Sequence, residues 1–508
     1  MRVIFRIFIK ILSSKLALSL LITLFLILKL NIYLFNKAPV INLTSPDNKS
    51  IGEYLSDFYK SIEDAFKPIK YLWNMRNGTL SKDMNKNYNE ITSFSYYYFC
   101  PYKYYSENIT TDDQWIVNPP FYIFSSYYDD RDSDYFMKNP VLQIISSGYN
   151  MSYINENEYF CHYFDSTTKI YLYSSPIMVR TLWNKAWDPR ESFYTSFLLT
   201  CPIKSNNNNV LFNVGGSYCP DKKLPLNSFV IPTKNNDENS DTRITTCVKG
   251  LDFNQDLSIK LLEWIEWQKY FGINHITLYT YTIHENMEKV LKYYSDIGYI
   301  TVVPITLPGI EPNYPKERSL FIKRNKQQKR RNELIPYNDC LYRHIKDSKY
   351  ILVIDIDEII VPIEDIKYQE FLKLIPDYKY SSIMVQNVFK FYNDNVTIDK
   401  NLPLASHNLR CKNSQGKEAY AKSFINTKYT SSVFTHFALH KQINGTMKFY
   451  LPKEVGIKLH FKNRCPEESM YECDKLMNSM IKDDLLISRS KIIKKNIIDI
   501  GLSLKLIN

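Results

Sequence analysis

The sequence predicts an α/β protein with a mostly parallel sheet, preceded by a β-rich region and by a single transmembrane helix. Three observations support this fold class. An uncharged apolar run lies near the N-terminus, short Tyr- and Phe-rich runs fill residues 91–240, and four strand-like runs alternate with helix-like segments after Asp241. With 508 residues, the chain is long enough for two or three domains.

The N-terminus has the pattern of an uncleaved signal anchor. Residues 1–15 carry four basic residues and no acidic one, which predicts a cytosolic tail. Residues 16–35 provide the roughly 20 mostly apolar residues that span a bilayer, with Lys29 near one interface. The alternative is a cleaved signal peptide, but no small-x-small cleavage site follows the apolar run.

The rest of the chain is therefore expected in the lumen of the Golgi or of the endoplasmic reticulum. Glycosylation sequons lie on that side, at Asn42, Asn48, Asn77, Asn108, Asn150, Asn395 and Asn444. The chain has nine cysteines and no CxxC pair, which favours disulfides over a zinc site. The net charge of +11 raises the question of nucleic acid, but a luminal location argues against that partner and leaves an anionic small substrate.

Composition divides the luminal part into further segments. Residues 36–90 are polar and broken by proline, as in a stem. Residues 91–240 alternate short runs such as FYIFSSYY and SFYTSFLLT with Pro, Gly and Asn breaks, which predicts a β-rich domain. Residues 241–475 have the pattern of an α/β domain, and residues 476–508 that of a helical C-terminal tail.

Strand and helix patterns alternate four times in the α/β domain. TTCVKGL precedes a helix over DLSIKLLEWIEWQKYF that ends at Gly272, and HITLYTY precedes a helix over ENMEKVLKYYSDI that ends at Gly298. ITVVPI, a basic helical segment and ILVIDID complete the series. Such alternation predicts parallel strands with crossover helices, and ligands in these folds bind at the carboxyl ends of the strands.

The stretch KYILVIDIDEIIVP, residues 349–362, places Asp355, Asp357 and Glu358 within an apolar run. Residues two apart on a strand share a face, so Asp355 and Asp357 project together at the carboxyl end of their strand. Burying unpaired carboxylates is costly, and a pair of them offers the oxygen ligands that Mn²⁺ or Mg²⁺ prefers. We therefore expect a divalent cation here, with phosphates and water completing its shell.

Two other interpretations of the Asp-x-Asp pattern are open. The first is a strand end with two solvated aspartates. The second is a haloacid-dehalogenase-like phosphatase, in which Asp355 would be the nucleophile. In that class Thr or Val is expected where this chain has Ile359.

The ordered motifs of the chain resemble glycosyltransferase family 92, formerly called domain of unknown function 23. They are TTCVKGL, LLEWIEWQKYFGINHITLYTY, NDCLYR and VIDIDE, with FYIFSSYYDDR, CHYFD and FLLTCPI upstream, and together they span roughly residues 95–475. The resemblance implies a type II membrane protein whose residues 241–475 form a GT-A-like catalytic domain. It also implies metal-dependent, inverting transfer of galactose from UDP-galactose to a glycan or glycoprotein.

The resemblance further implies a metal site. Asp355 and Asp357 match the DxD motif, whose second aspartate holds the metal while the first lies near the ribose and metal-bound water. A late His-His-Tyr-Arg-like motif reads LHFK here, at residues 459–462. His460 is expected to complete the metal shell and Lys462 to lie near the diphosphate. The alternative for His460 is a structural role at a strand end, and Lys in place of Arg loses a bidentate phosphate contact.

Three residues are candidate contacts to the UDP-sugar. Asp252 and Asn254, in KGLDFNQD, follow the first strand, where GT-A enzymes hold the uracil and ribose. Asp339, in NDCLYR, also matches the family. All three have a simpler interpretation as turn or helix-cap residues.

Inversion at the anomeric carbon requires a carboxylate that removes the proton of the acceptor hydroxyl. Asp394 in FYNDN and Glu418 in QGKEAY lie in the later half of the domain, where acceptors bind in this fold. Asp394 is the first candidate for this base and Glu418 is the second.

Together, these patterns predict a Golgi or endoplasmic reticulum glycosyltransferase that uses Mn²⁺ or Mg²⁺ and a UDP-sugar. Its other partners would be a glycan or glycoprotein acceptor and a membrane, with no nucleic acid. The non-enzyme alternative is a membrane-tethered glycan-binding protein with a degenerate transferase domain, which the altered His-His-Tyr-Arg motif favours.

Overall fold

The computed structural model describes residues 98–99, 114–135, 140–151, 159–165, 170–174, 176, 178–203, 210–216, 227–233, 242–391, 399–414, 416, 418–462 and 475–507. The predicted cytosolic tail, membrane anchor and stem lie outside these ranges. Within them, no helix is long and apolar enough to cross a membrane. All described residues belong to one compact unit, Ile91–Asn508.

The secondary structure is dominated by strands before residue 240 and is mixed after it. The first strands are β1 (Tyr98–Phe99), β2 (Ile116–Asn118), β3 (Phe121–Asp129), β4 (Val141–Tyr149), β5 (Phe160–Asp165), β6 (Ile170–Ser174), β7 (Met178–Thr181), β8 (Tyr194–Pro202) and β9 (Val210–Gly215). The later strands are β10 (Ile244–Phe253), β11 (His275–Ile283), β12 (Ile300–Pro304), β13 (Tyr350–Val353), β14 (Glu358–Pro362), β15 (Tyr380–Val385), β16 (Asn387–Phe391), β17 (Leu409–Cys411), β18 (Lys422–Asn426), β19 (Thr430–Val433), β20 (Ala438–Lys441), β21 (Met447–Tyr450), β22 (Gly456–Lys462) and β23 (Met480–Lys482). The helices are α1 (Ser258–Tyr270), α2 (Glu285–Asp296), α3 (Pro315–Arg324), α4 (Lys326–Asn332), α5 (Leu334–Arg343), α6 (Tyr368–Lys373) and α7 (Ser490–Ser503).

The described residues before 234 form two antiparallel sheets, which confirms their predicted β-rich character. Their strand orders are β1-β6-β5-β9 and β2-β3-β4-β8-β7. Phe121 and Phe197 from one sheet and Phe212 from the other are buried in a shared apolar cluster. A disulfide between Cys161 and Cys201 joins β5 to β8 and so ties the two sheets together.

A seven-stranded sheet of order β12-β11-β10-β13-β18-β15-β21 positions the site. β10 to β13 run parallel, as the alternating pattern predicts. β18 runs antiparallel to both of its neighbours, so the sheet is mostly rather than wholly parallel. Gly272 and Gly298 follow α1 and α2 with φ of +92° and +74°, the left-handed backbone with which helices commonly end.

A second sheet has the order β14-β22-β16-β17-β23. Its first strand, β14, begins directly after the turn that carries the aspartates. The chain leaves β13, turns at residues 354–357 and begins β14 at Glu358. The indole N–H of Trp264 on α1 donates to the Glu358 carbonyl at 2.8 Å and fixes this turn. β22 pairs with β14 so that His460 lies opposite Glu358, which brings the late LHFK motif to the aspartates.

The β-rich region packs against the α/β region through α5. One apolar cluster contains Trp183 from the first region together with Tyr337 and Phe434 from the second. A second disulfide, Cys247–Cys340, joins β10 to α5 beneath the site. The predicted domain boundary at residue 240 stays a prediction, since both regions share this core.

The C-terminal tail is only partly helical. α7 packs on α1, with Ile493 and Ile497 buried and the Asn496 amide donating to Glu266 at 2.6 Å. Before it, Met480–Lys482 forms β23, which pairs with β17. Pairing with a distant strand therefore replaces the helix that the sequence predicts at this point.

Candidate functional site

A cavity of about 550 Å³ opens at the carboxyl ends of β10 and β13. Several predicted residues line it, namely Asp252, Asp355, Asp357, His460 and Lys462. So do further charged residues, namely Lys249, Lys260, Lys323, Lys329 and Glu333. The topology thus brings the two aspartates and the late motif into one cavity, at the sheet edge where ligands bind in open α/β folds.

Asp355 is held by side chains from three elements. The Lys249 ammonium lies 3.4 Å from its Oδ1, and the Tyr337 hydroxyl on α5 donates to the same oxygen at 3.2 Å. The Lys422 ammonium at the start of β18 lies 3.3 Å from Oδ2. Burial by itself would raise the pKa of Asp355, but Lys249 and Lys422 outweigh it and lower that pKa, so the carboxylate is ionised.

Asp357 faces the cavity between two residues of β22. The Lys462 ammonium donates to its Oδ2 at 2.7 Å, and Nε2 of His460 lies 3.5 Å from the same oxygen. The Phe461 backbone N–H donates to the Asp357 carbonyl at 2.9 Å and fixes the turn. Burial would raise the pKa of Asp357, but His460 and Lys462 lower it well below its usual range.

Glu358 lies behind the cavity in a buried ion network. Its carboxylate pairs with the Lys458 ammonium, and the Lys422 ammonium lies 3.6 Å from its second oxygen. The Asp355 backbone N–H donates to that second oxygen at 3.2 Å. Glu358 therefore compensates two buried lysines and at the same time holds the turn that presents the aspartates.

His460 lies between two carboxylates. Its Nε2 is 3.5 Å from Oδ2 of Asp357, and its Nδ1 is 3.5 Å from Oε1 of Glu358. Burial and the nearby Lys458 lower the pKa of His460 and so favour the neutral ring, which carries one N–H. Whichever nitrogen lacks the proton then presents a lone pair to a carboxylate oxygen, and a cation placed between the two relieves that repulsion.

Two of these residues, Asp357 and His460, are suitable ligands for a divalent cation. Nε2 of His460 and the carboxylate of Asp357 offer one nitrogen and one oxygen donor, and the ring lies between the carboxylates of Asp357 and Glu358. Among the described residues, no three His, Cys, Asp or Glu side chains converge closely enough to hold a metal by themselves. The remaining ligands would come from substrate phosphates and water.

Asp252 lies at the end of β10 on the cavity wall. Oδ1 of Asp252 is 3.6 Å from the guanidinium of Arg318 on α3, and that guanidinium lies over the Tyr281 ring at 5.2 Å. This arrangement joins α3 to the ends of β10 and β11. The contact between Asp252 and the nucleoside stays a prediction.

Asp339 is placed away from the cavity, which corrects the expected contact with the UDP-sugar. Its buried carboxylate accepts the hydroxyls of Tyr127 on β3 and Tyr279 on β11, at 2.6 and 2.5 Å. Arg343 also donates to it at 2.6 Å, one turn further along α5. Both oxygens are therefore used to join three elements.

The other candidates also lie off the cavity or outside the described residues. Asn254 is exposed just beyond β10 and does not line the cavity. Glu418 is exposed as well, pairs with the Lys448 ammonium at 3.2 Å and accepts the Tyr450 hydroxyl. Asp394 falls outside the described ranges, so its role as a base stays a prediction.

Lys422, Lys458 and Tyr337 belong to the site but lie outside the motifs quoted above, and Lys249 belongs to it and lies within TTCVKGL. A signal for Lys458 does exist in GIKLHFK, the sequence of β22, where Lys458, His460 and Lys462 alternate with apolar residues. Alternation of this kind predicts one polar face on a strand. Lys422 carries no comparable signal, because its position beside Asp355 depends on the long-range pairing of β18 with β13.

Comparison with known proteins gives one family. The model of glycosyltransferase family 92 matches residues 242–497, half of the chain. Beta-1,4-galactosyltransferase galt-1 of Caenorhabditis elegans is 31% identical over 125 residues, which cover 24% of this chain and 26% of that protein. The match thus spans about a quarter of the length of this relative. Among solved structures, ferredoxin-NADP+ reductase from Plasmodium falciparum aligns with 43% of this chain and 82% of its own, at 11% identity and a TM-score of 0.09, which supports no conclusion on the fold.

Proposed function

Because the chain belongs to glycosyltransferase family 92, we propose that it is a metal-dependent inverting enzyme that transfers a hexose from a UDP-sugar to a glycan. The family supports glycosyl transfer, and the name of the Caenorhabditis elegans relative makes galactose from UDP-galactose the first candidate donor. The GT-A-like organisation of residues 241–475 is part of this proposal.

One observation carries the proposal. Asp355, Asp357, His460 and Lys462 converge on a single cavity of about 550 Å³ at the carboxyl edge of the parallel strands. Pockets of about 300–1,000 Å³ suit ligands of the size of a nucleotide-sugar. The lysines that line this cavity favour an anionic group such as a diphosphate.

The roles of the residues follow from their contacts. Asp357 and His460 would hold Mn²⁺ or Mg²⁺, which when bound supplies Lewis-acid stabilisation of the departing diphosphate. Asp355, which Lys249 and Lys422 already hold in place, would face the ribose side of the donor. Lys462 reaches the cavity from the end of β22 and would bind a phosphate oxygen.

The base that deprotonates the acceptor is proposed to be Asp394. Glu418 is exposed away from the cavity, and its Oε1 already accepts hydrogen bonds from the Lys448 ammonium and the Tyr450 hydroxyl. Glu418 therefore stays the second candidate.

The cellular setting is proposed from the sequence. Residues 16–35 would anchor the protein in the Golgi or endoplasmic reticulum membrane, with residues 1–15 in the cytosol and the remainder in the lumen. Two disulfides among the described residues support an oxidising compartment.

One observation favours a second candidate function, a membrane-tethered glycan-binding protein without turnover. The Lys462 ammonium lies 2.7 Å from Asp357 and thus occupies the carboxylate that a cation would need. In such a protein the chain's own lysine would replace the metal, and binding would be indifferent to EDTA.

UDP-sugar hydrolysis by the full-length protein tests the two candidates. We expect turnover of one donor in a panel of UDP-hexoses with Mn²⁺, and loss of that turnover with EDTA. Asp357→Asn should lower the rate by about 100-fold or more, since one preorganised electrostatic group commonly contributes that much. Folded protein without turnover of any donor, with or without a glycan acceptor, would contradict the enzyme and support the binding protein.

A further inference from the structure

Among the tryptophans that the structure describes, Trp187 stands apart because its side chain is exposed. Trp115, Trp183, Trp264 and Trp267 are all buried, whereas 46% of Trp187 is accessible to solvent. Leaving a large aromatic side chain in water forgoes the free energy of burying it. Its exposure therefore suggests a ligand that covers the indole.

The turn that carries Trp187 is fixed by its own hydrogen bonds. The Trp187 backbone N–H donates to the Asn184 carbonyl, and the Ala186 N–H donates to the Asn184 side chain, both at 3.0 Å. The indole of Trp183 donates to the Asp188 carbonyl at 2.9 Å and closes the other end. The exposed ring is thus preorganised, which lowers the entropic cost of binding.

Two residues that follow β19 brace the indole. Phe434 meets it edge to face, with ring centroids 4.7 Å apart and planes at 88°. His436 lies with its ring centroid 5.6 Å from that of Trp187. Nδ1 of His436 bonds the Ala421 carbonyl at 2.7 Å, so Nδ1 carries the proton and Nε2 is a hydrogen-bond acceptor.

A short series of contacts connects the pair Trp187 and His436, here called the platform, to the aspartates. Thr435, next to His436, offers its carbonyl to the Lys422 ammonium at 3.4 Å. The same ammonium lies 3.3 Å from Asp355. Neither Trp187 nor His436 lines the cavity proposed for the donor, so the platform is a separate surface beside it.

We propose that Trp187 and His436 form a subsite for a pyranose ring of the glycan acceptor. The indole would stack on the apolar C–H face of the sugar, and Nε2 of His436 would accept a hydrogen bond from one of its hydroxyls. This assignment rests on the proposed glycosyl transfer, and it specifies where the acceptor lies relative to the donor.

The test combines binding to a printed array of N-linked and O-linked oligosaccharides with transfer kinetics on the best-bound glycan. For Trp187→Ala we expect at least a tenfold loss of array binding and a tenfold rise in the acceptor KM, with the KM for the UDP-sugar changed less than twofold. Trp187→Phe keeps an aromatic face and should recover most of the binding. The matched control is Tyr378→Ala, which removes a 52%-exposed aromatic side chain just before β15, at the end of the sheet opposite to Lys422.

Fluorescence keeps the test decisive if Trp187→Ala fails to fold. Titration of the wild-type protein with the best-bound oligosaccharide should change its tryptophan emission, and Trp187→Phe should bind without that change. Equal array binding by wild type and Trp187→Ala, or no glycan binding by the folded wild type, would overturn the subsite. If the wild-type protein binds glycans on the array but hydrolyses no UDP-sugar, the proposed enzyme is contradicted and the subsite is not, since array binding does not need turnover.

Discussion

The ammonium group of Lys462 lies 2.7 Å from Oδ2 of Asp357, so the carboxylate expected to hold a metal is already paired with a cation from its own chain. Lys422 and Lys249 do the same for Asp355. The cost of placing carboxylates at the end of an apolar strand is therefore offset by lysines, before any metal or substrate binds.

Lys462→Met tests whether this lysine also contacts the diphosphate. We expect UDP to bind about tenfold more weakly or worse, because a hydrogen bond to a charged group contributes about 1.5–3 kcal/mol. Lys462→Arg keeps the charge and should lose less. Calorimetric titration with UDP measures both, and Lys448→Met, at an exposed ion pair outside the cavity, is the control. If Lys462→Met binds UDP with unchanged affinity, this lysine pairs with Asp357 and does not contact the diphosphate.

Glu358→Gln removes the charge that compensates two buried lysines. Lys458 and Lys422 would then lie buried behind the cavity without a full partner for their charges. We expect the free energy of unfolding to fall by about 3–5 kcal/mol, as when one member of a buried ion pair is deleted. Denaturant unfolding measures this, and the exposed Glu418→Gln should change stability by about 1 kcal/mol or less. Similar effects of the two variants would refute the role given to Glu358.

His440 is expected to make the free energy of unfolding depend on pH, and the direction of that dependence follows from its pKa. Burial, followed by the nearby Arg180, lowers the pKa of His440 to about 4, whereas an unfolded histidine has a pKa of about 6.5. The unfolded chain takes up the proton first, so the contribution to stability is complete above pH 6.5 and is lost as the pH falls towards 4. His440→Gln keeps a partner for Ser432 and cannot titrate. Unfolding measured from pH 7 to 4 should favour the variant progressively, by at most about 3 kcal/mol, and parallel profiles would contradict the assignment.

The Cys247–Cys340 disulfide is expected to contribute more stability than Cys161–Cys201. Replacing either pair by alanine should lower the free energy of unfolding by about 2–5 kcal/mol. The first bridge closes a loop of 93 residues and the second one of 40, which makes the first loss larger by about 0.7 kcal/mol in the chain-entropy description. Urea unfolding of the two double variants provides the comparison. A larger loss for the shorter loop would show that local packing outweighs chain entropy here.

Local patterns were sufficient for the parallel part of the fold and for the centre of the site. The alternation from Ile244 to Val353 predicts four parallel strands, and the structure confirms them. Asp355 and Asp357 line the cavity as predicted, although they lie in the turn after β13 and not on the strand whose alternation predicted their shared face. These features depend on residues that are close together in the chain.

Features that depend on distant partners were not predictable in the same way. Lys422 reaches Asp355 because β18 pairs antiparallel with β13 across about 70 residues of chain. Asp339 has the family motif around it, yet Tyr127 from the β-rich region and Tyr279 from β11 bury it. No local period in the sequence encodes these contacts.

The alternation along β22 makes the site unusually sensitive to chain length. Lys458, His460 and Lys462 share one face, while Ile457, Leu459 and Phe461 lie in the apolar core on the other. Deleting or inserting a single residue at the start of this strand would exchange the faces, turning three ion-pairing groups into the core and three apolar groups towards the carboxylates. Homologues that keep this chemistry should therefore vary the length of the preceding loop only by shifts that preserve the register of β22.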